Sequence, residues 1–188
     1  LVHDFVALCE QLVPTSRIVL VDLGASLDFH GTGTQSPALY ITHLYEQFGM
    51  PFDHIYAFEI TPKEPAKVYE MVPDRLRAAY HWNNVGISAD DNSTRNPWNI
   101  IRDNFDENDV VVVKLDVDTP SVELPLTQQL LQDERLHRVI DHFYFEHHVH
   151  LDELKMSWRK GGMHGSVADS LRLFHGLRKA GIAAHSWV

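Results

Sequence analysis

Among 188 residues the chain has a single cysteine, Cys9. One thiol excludes an internal disulfide framework and a cysteine-rich zinc site, and it is compatible with a reducing, cytoplasmic setting. Basic residues are also scarce: 16 Lys and Arg stand against 26 Asp and Glu, a formal net charge of −10. A nucleic-acid partner is therefore not expected, because phosphate contacts need clustered Lys and Arg. The one basic cluster, Lys155, Arg159 and Lys160, reads as ordinary solvated surface. No apolar run reaches the roughly 18–20 residues of a membrane span, and no charged segment leads into an apolar one as in a signal peptide. The start at Leu1 rather than Met is compatible with a chain trimmed at one or both ends. Internal repeats and low-complexity tracts are absent, and no pattern specifies an oligomeric state.

What is present is apolar residues, at 44% of the chain, enough for the core of one domain. They fall in short runs separated by helical patterns, the signature of an α/β fold with a doubly wound, mostly parallel sheet. The first strand is expected over residues 17–23, where Ile18-Val19-Leu20-Val21 is continuously apolar, as in a strand covered on both faces. After a Gly-, Ser- and Thr-rich loop (24–36), Ser36 and Pro37 suit the N-cap and N1 of a helix, with Ile41, Leu44, Tyr45 and Phe48 as its buried stripe and Gly49 as its stop. Further strands are expected at 55–60, 82–88, 110–117, 139–145 and 182–188. Between them, Thr61 to Glu64 fits a capping box with Pro62 at N1, and the helix that follows ends before Pro73. A short helix follows at 98–105. Pro120 starts a helix that Pro125 shortens or kinks. Residues 161–165 form a joint, and Ser166 caps a helix with Val167, Leu171, Phe174 and Leu177 on one side, closed by Gly181. A seventh strand, usual in this fold, is missing or lies beyond the end of the given sequence.

In doubly wound sheets, ligands bind beyond the carboxyl ends of the strands, at the point where strand order reverses. Polar groups gather at five such ends: Asp22-Leu23-Gly24, Glu59, Gly86-Ile87-Ser88, Asp116-Val117-Asp118 and Glu146-His147-His148. Each alone reads equally as a turn or cap residue; the repetition points to a site. A carboxylate at Glu59 can accept from both hydroxyls of a ribose, or it can be a surface group favoured by a helix N-terminus. The loop Gly31-Thr32-Gly33-Thr34-Gln35-Ser36, with Ala25 before it, offers backbone amides ahead of a helix, where an anion is held. The loop is longer than the tight turn of a dinucleotide fingerprint, which counts against NAD.

At these residues the chain resembles class I S-adenosylmethionine-dependent methyltransferases, and most closely their FkbM-type branch. The resemblance runs from about Ile18 to the C-terminus. It is carried by Val21-Asp22-Leu23-Gly24-Ala25, Tyr56-Ala57-Phe58-Glu59, Asn84-Val85-Gly86-Ile87-Ser88, Val113-Lys114-Leu115-Asp116-Val117-Asp118 with Glu123, Phe145-Glu146-His147-His148, and Leu177-Arg178-Lys179-Ala180-Gly181-Ile182. It implies a Rossmann-like domain in which Asp22 and Gly24 approach the methionine part of S-adenosylmethionine, Glu59 binds its ribose, Ile87 and Ser88 lie near its adenine, and Asp116 faces cofactor and substrate. The chain departs from the family pattern in two places. Thr119, followed by Pro120, stands where the family has glycine, and Asp28, Phe29 and His30 lengthen the first loop.

Methyl transfer needs an acceptor placed in line with the sulfonium methyl, and an oxygen acceptor also benefits from a base. Asp116, His147 and His148 are the candidates, a neutral imidazole being suited to this near pH 7. Asp116, Asp118, Glu146 and His148 are also a candidate set for a divalent cation such as Mg²⁺ or Mn²⁺; the competing reading is that the histidines pack or cap the strand end. His150, His164 and His185 show no spacing that compels a role. The expectation is a methyltransferase acting on oxygen of a small-molecule or sugar-like acceptor. Two alternatives stay open: a cofactor-binding module without transfer, and another nucleotide-dependent Rossmann enzyme.

Overall fold

The computed structural model describes residues 5–27, 36–149 and 165–187. Loop residues Asp28, Phe29, His30, Gly31 and Gly33, the basic residues Lys155, Arg159 and Lys160, and His150 and His164 lie outside them.

Helix α1 (Phe5–Gln11) leads into strand β1 (Ile18–Leu23), followed by α2 (Pro37–Gln47), β2 (His54–Phe58), α3 (Pro65–Met71), a 3₁₀ turn (Asp74–Leu76) and β3 (Tyr80–Asn83). The second half comprises α4 (Pro97–Asn104), β4 (Val110–Leu115), α5 (Pro120–Gln132), α6 (Glu134–Val139), β5 (Ile140–Phe145), α7 (Val167–Lys179) and β6 (Ala183–Ser186). The strands form one sheet in the order β3-β2-β1-β4-β5-β6, every neighbouring pair parallel. This is a Rossmann-like α/β fold in a single domain, its reversal point between β1 and β4. No helix among the described residues is long and apolar enough to cross a membrane.

Strand alternation sorts the core into two layers. Ile18, Leu20, Ile55, Val110 and Val112 face α1–α3 and pack with Phe5, Leu8, Ile41, Tyr45 and Val68. Val19, Val21, Leu23, Val111, Val113 and Leu115 face α4–α7 and pack with Trp98, Ile101, Leu126, Leu136 and Leu177. Every residue of β1 and β4 is buried, as their near-continuous apolar runs require.

Several expected boundaries shift. The third strand occupies Tyr80–Asn83 rather than 82–88, because its ladder with β2 ends at Phe58↔Asn83. The Asn84 side chain then turns the chain, donating to the Glu59 and Thr61 carbonyls (2.7 and 2.9 Å) and accepting from the Lys63 N–H (3.0 Å). That same loop displaces the expected capping box: α3 starts at Pro65, not Pro62, and its N-cap Glu64 makes no side-chain cap bond. Helix α5 runs through Pro125 to Gln132, anchored by buried Leu126, Thr127 and Leu130. The short helices α1 and α6 lie outside the expected elements, although Asp133 caps α6, its side chain accepting from the Arg135 and Leu136 N–H groups. In α7 the Ser166 capping box forms, but Val167 and Leu171 stay exposed and Leu173 joins the core. A thirteen-residue helix is about 20 Å long, whereas four-residue β6 spans about 13 Å and cannot cover its first turns.

Candidate functional site at the strand ends

The site is built around a buried ammonium. Lys114 sits beside Asp22 in the β1–β4 ladder, so both side chains share a face, and Asp116, two residues on, continues it. The Lys114 Nζ lies 3.1 Å from Asp22 Oδ1 and 3.2 Å from Asp116 Oδ2, and donates to the Gly24 carbonyl at 3.0 Å. Burial alone pulls this ammonium down, but Asp22 and Asp116 outweigh it and hold its pKa above the usual Lys value. Asp22 is 1% exposed, so it supports the strand ends from beneath and is closed to solvent.

Gly24 is where the chain leaves β1 and passes closest to β4. Its φ is +88°, and a Cβ there would lie 1.7 Å from the Asp116 carbonyl oxygen, so a side chain is excluded on both counts. The Gly24 and Ala25 N–H groups both donate to the Phe58 carbonyl (3.0 and 2.9 Å). They stitch the turn onto β2 and are not turned toward a ligand.

Glu59 follows β2 at the same end, half-buried. Its Oε1 accepts from Thr61 N–H at 2.6 Å, and among the described residues no donor reaches Oε2. Ile60 beside it is 74% exposed and lies against Gly86, where a Cβ would come within 2.7 Å of its Cδ1. Ile87 and Ser88 are not at a strand end. Ile87 packs against the α4–α7 layer, and Ser88 organises its own loop, its N–H donating to the Arg95 carbonyl and its Oγ accepting from Asp90 N–H.

Beyond β4 and β5 the crevice turns acidic. Glu146 hydrogen-bonds Asp116, and burial, then the Asp116 charge, push its carboxyl up to about 8. Glu123, from the first turn of α5, is 2% exposed and accepts from Val117 N–H at 2.9 Å; burial pushes it up to about 7. Asp118 occupies the left-handed region, φ 52°, which short polar side chains tolerate. His148 Nε2 lies 3.3 Å from Glu146 Oε1 and 3.7 Å from Asp118 Oδ1. His147, between Glu146 and His148 in the chain, stacks on Phe145, ring centroids 5.3 Å apart.

The structure therefore brings Asp22, Asp116, Asp118, Glu146 and His148 to the β1–β4–β5 end and leaves His147, Ile87 and Ser88 outside that cluster. Lys114, on which the cluster turns, has no role that the sequence assigns. Its signal is a lone charge inside an otherwise apolar, doubly covered strand. Against protein-family models, curated proteins and solved structures, the chain has no match.

Proposed function

We propose that the protein binds S-adenosylmethionine across the carboxyl ends of β1, β2 and β4 and methylates an oxygen of a small-molecule or sugar-like acceptor. The observation that carries this reading is the Glu59–Ile60 pair at the end of β2, the strand next to β1. A carboxylate with one oxygen taken by its own turn and the other open suits a ribose diol, and an exposed apolar side chain next to it suits the face of a base. The partly exposed Asp116 carboxylate beyond β4 fits the rest of the cofactor as well, since it favours a sulfonium and an ammonium group.

When bound, the cofactor supplies an electrophilic methyl group. This chain's own residues bind and orient around it. Lys114 keeps the Asp116 carboxylate in place from beneath, and Asp116, 17% exposed, offers an acceptor hydroxyl a hydrogen-bonding oxygen that can take its proton. His147 stacks on Phe145, so Asp116 is the base this reading favours.

Titration calorimetry with S-adenosylmethionine and with its demethylated product tests the reading. Saturable binding is expected, and none at millimolar ligand would reject it. Glu59→Ala is expected to weaken binding by about 1–3 kcal/mol, the range for a lost hydrogen bond to a charged group, with the circular-dichroism spectrum unchanged.

A further inference from the structure

We infer that Asp118, Glu146 and His148 form a binding site for a divalent transition-metal ion, of the Mn²⁺, Fe²⁺, Co²⁺ or Zn²⁺ class. The inference stands apart from the methyltransferase reading, since it rests on three side chains that do not include Glu59. The ligands come from two loops. Asp118 follows β4, while Glu146 and His148 follow β5 two residues apart. One ligand atom from each lies within 4.8 Å of the others.

Two of the separations, both to His148 Nε2, compare closely with those of donors sharing one ion. Two atoms each about 2.1 Å from a metal lie about 3.0–3.4 Å apart at angles between tetrahedral and right-angled. The His148 Nε2 to Glu146 Oε1 separation of 3.3 Å already falls in that range. The 3.7 Å to Asp118 Oδ1 closes with a small rotation of a side chain that is 64% exposed.

Charge accounting points the same way. The one buried ammonium nearby, Lys114, is engaged by Asp22, Asp116 and the Gly24 carbonyl. Among the described residues neither Asp118 nor Glu146 has a Lys or Arg within ion-pair distance. Two carboxylates with an imidazole match a divalent charge, and the nitrogen donor selects against Mg²⁺ and Ca²⁺, which prefer oxygen throughout. Asp116 drops out of the ligand set, because Lys114 holds it from the other side. Three protein ligands leave positions on the ion for water or an acceptor oxygen.

The test uses the full chain, stripped with chelator and without S-adenosylmethionine, so that failure of cofactor binding and failure of metal binding are read separately. Titration with Mn²⁺, followed by loss of the free-ion electron paramagnetic resonance signal, and with Co²⁺, followed by its visible spectrum, should show one saturable site. Asp118→Asn and His148→Ala should each weaken it at least about tenfold, the lower end of what even an outer-shell partner is worth. Asp116→Asn, which alters a hydrogen-bond partner of Glu146 but removes no ligand, should weaken it less than either. Asp118 is exposed, so its variant folds even if that of His148 does not. Absence of saturable binding at about 1 mM Mn²⁺, Co²⁺ and Zn²⁺, a free energy of only about −4 kcal/mol, would overturn the inference. So would an affinity unaltered in the Asp118 variant.

Discussion

Asp141 shows how one half-buried carboxyl sets a pH dependence. It stands in β5 with its Oδ2 accepting from Val111 N–H at 2.8 Å, a bond that ties β5 to β4 where their register shifts. Burial pushes this carboxyl up to about 6, against the pull of that N–H. Because its folded pKa exceeds its ordinary value, its contribution is complete below the ordinary carboxylate range and is lost as pH rises through about 6. Asp141→Asn keeps an acceptor for Val111 without the charge. Urea denaturation should find the two proteins similar near pH 4 and the variant more stable by about 2–3 kcal/mol near pH 7, from a shift of roughly two pK units. A parallel pH profile in both would show that Asp141 does not carry the dependence.

At the scale of elements, β1 and β4 are tied together at both ends by charge. At the entry, the Asp109 carboxylate accepts from Arg17 Nε (2.9 Å), Arg17 N–H (3.1 Å) and Asp106 N–H (3.2 Å). At the exit, Lys114 joins Asp22, Asp116 and Gly24. The two ends are not equivalent. Asp109 keeps two backbone donors if the Arg17 side chain is removed, whereas Asp22 loses its cation altogether when Lys114 is replaced. Lys114→Met should therefore cost about 3–5 kcal/mol in denaturant titration, the range for stranding a buried charge. Adding Asp22→Asn to it should recover a large part. A Lys114→Met loss no larger than that of Arg17→Met would refute this asymmetry.

For the whole molecule, the order β3-β2-β1-β4-β5-β6 gathers the loops after β1, β4 and β5 at one end. A ligand bound there stabilises the fold by mass action. The demethylated cofactor at a hundred times its dissociation constant should add about 2.7 kcal/mol, a rise in Tm of about 5–10 °C for a domain of this size. A melting curve unmoved at saturation would count against the proposed function.

Much of this architecture is legible in the amino-acid sequence. Apolar runs mark β1 and β4, and Ser36 and Ser166 mark the starts of α2 and α7, because burial pattern and capping act over a few neighbouring residues. The third strand is an exception: Val85-Gly86-Ile87 has strand-like composition, while the ladder that β2 offers stops at Asn83. Within the site, the sequence by itself determined that polar groups collect at the strand ends. Only the tertiary structure decided which of them meet: Asp22 with Lys114 in a buried ion pair, His148 with Glu146 and Asp118, and His147 turned away onto Phe145. Periodicity and capping are local, whereas these pairings depend on strand order and register between residues far apart in the chain.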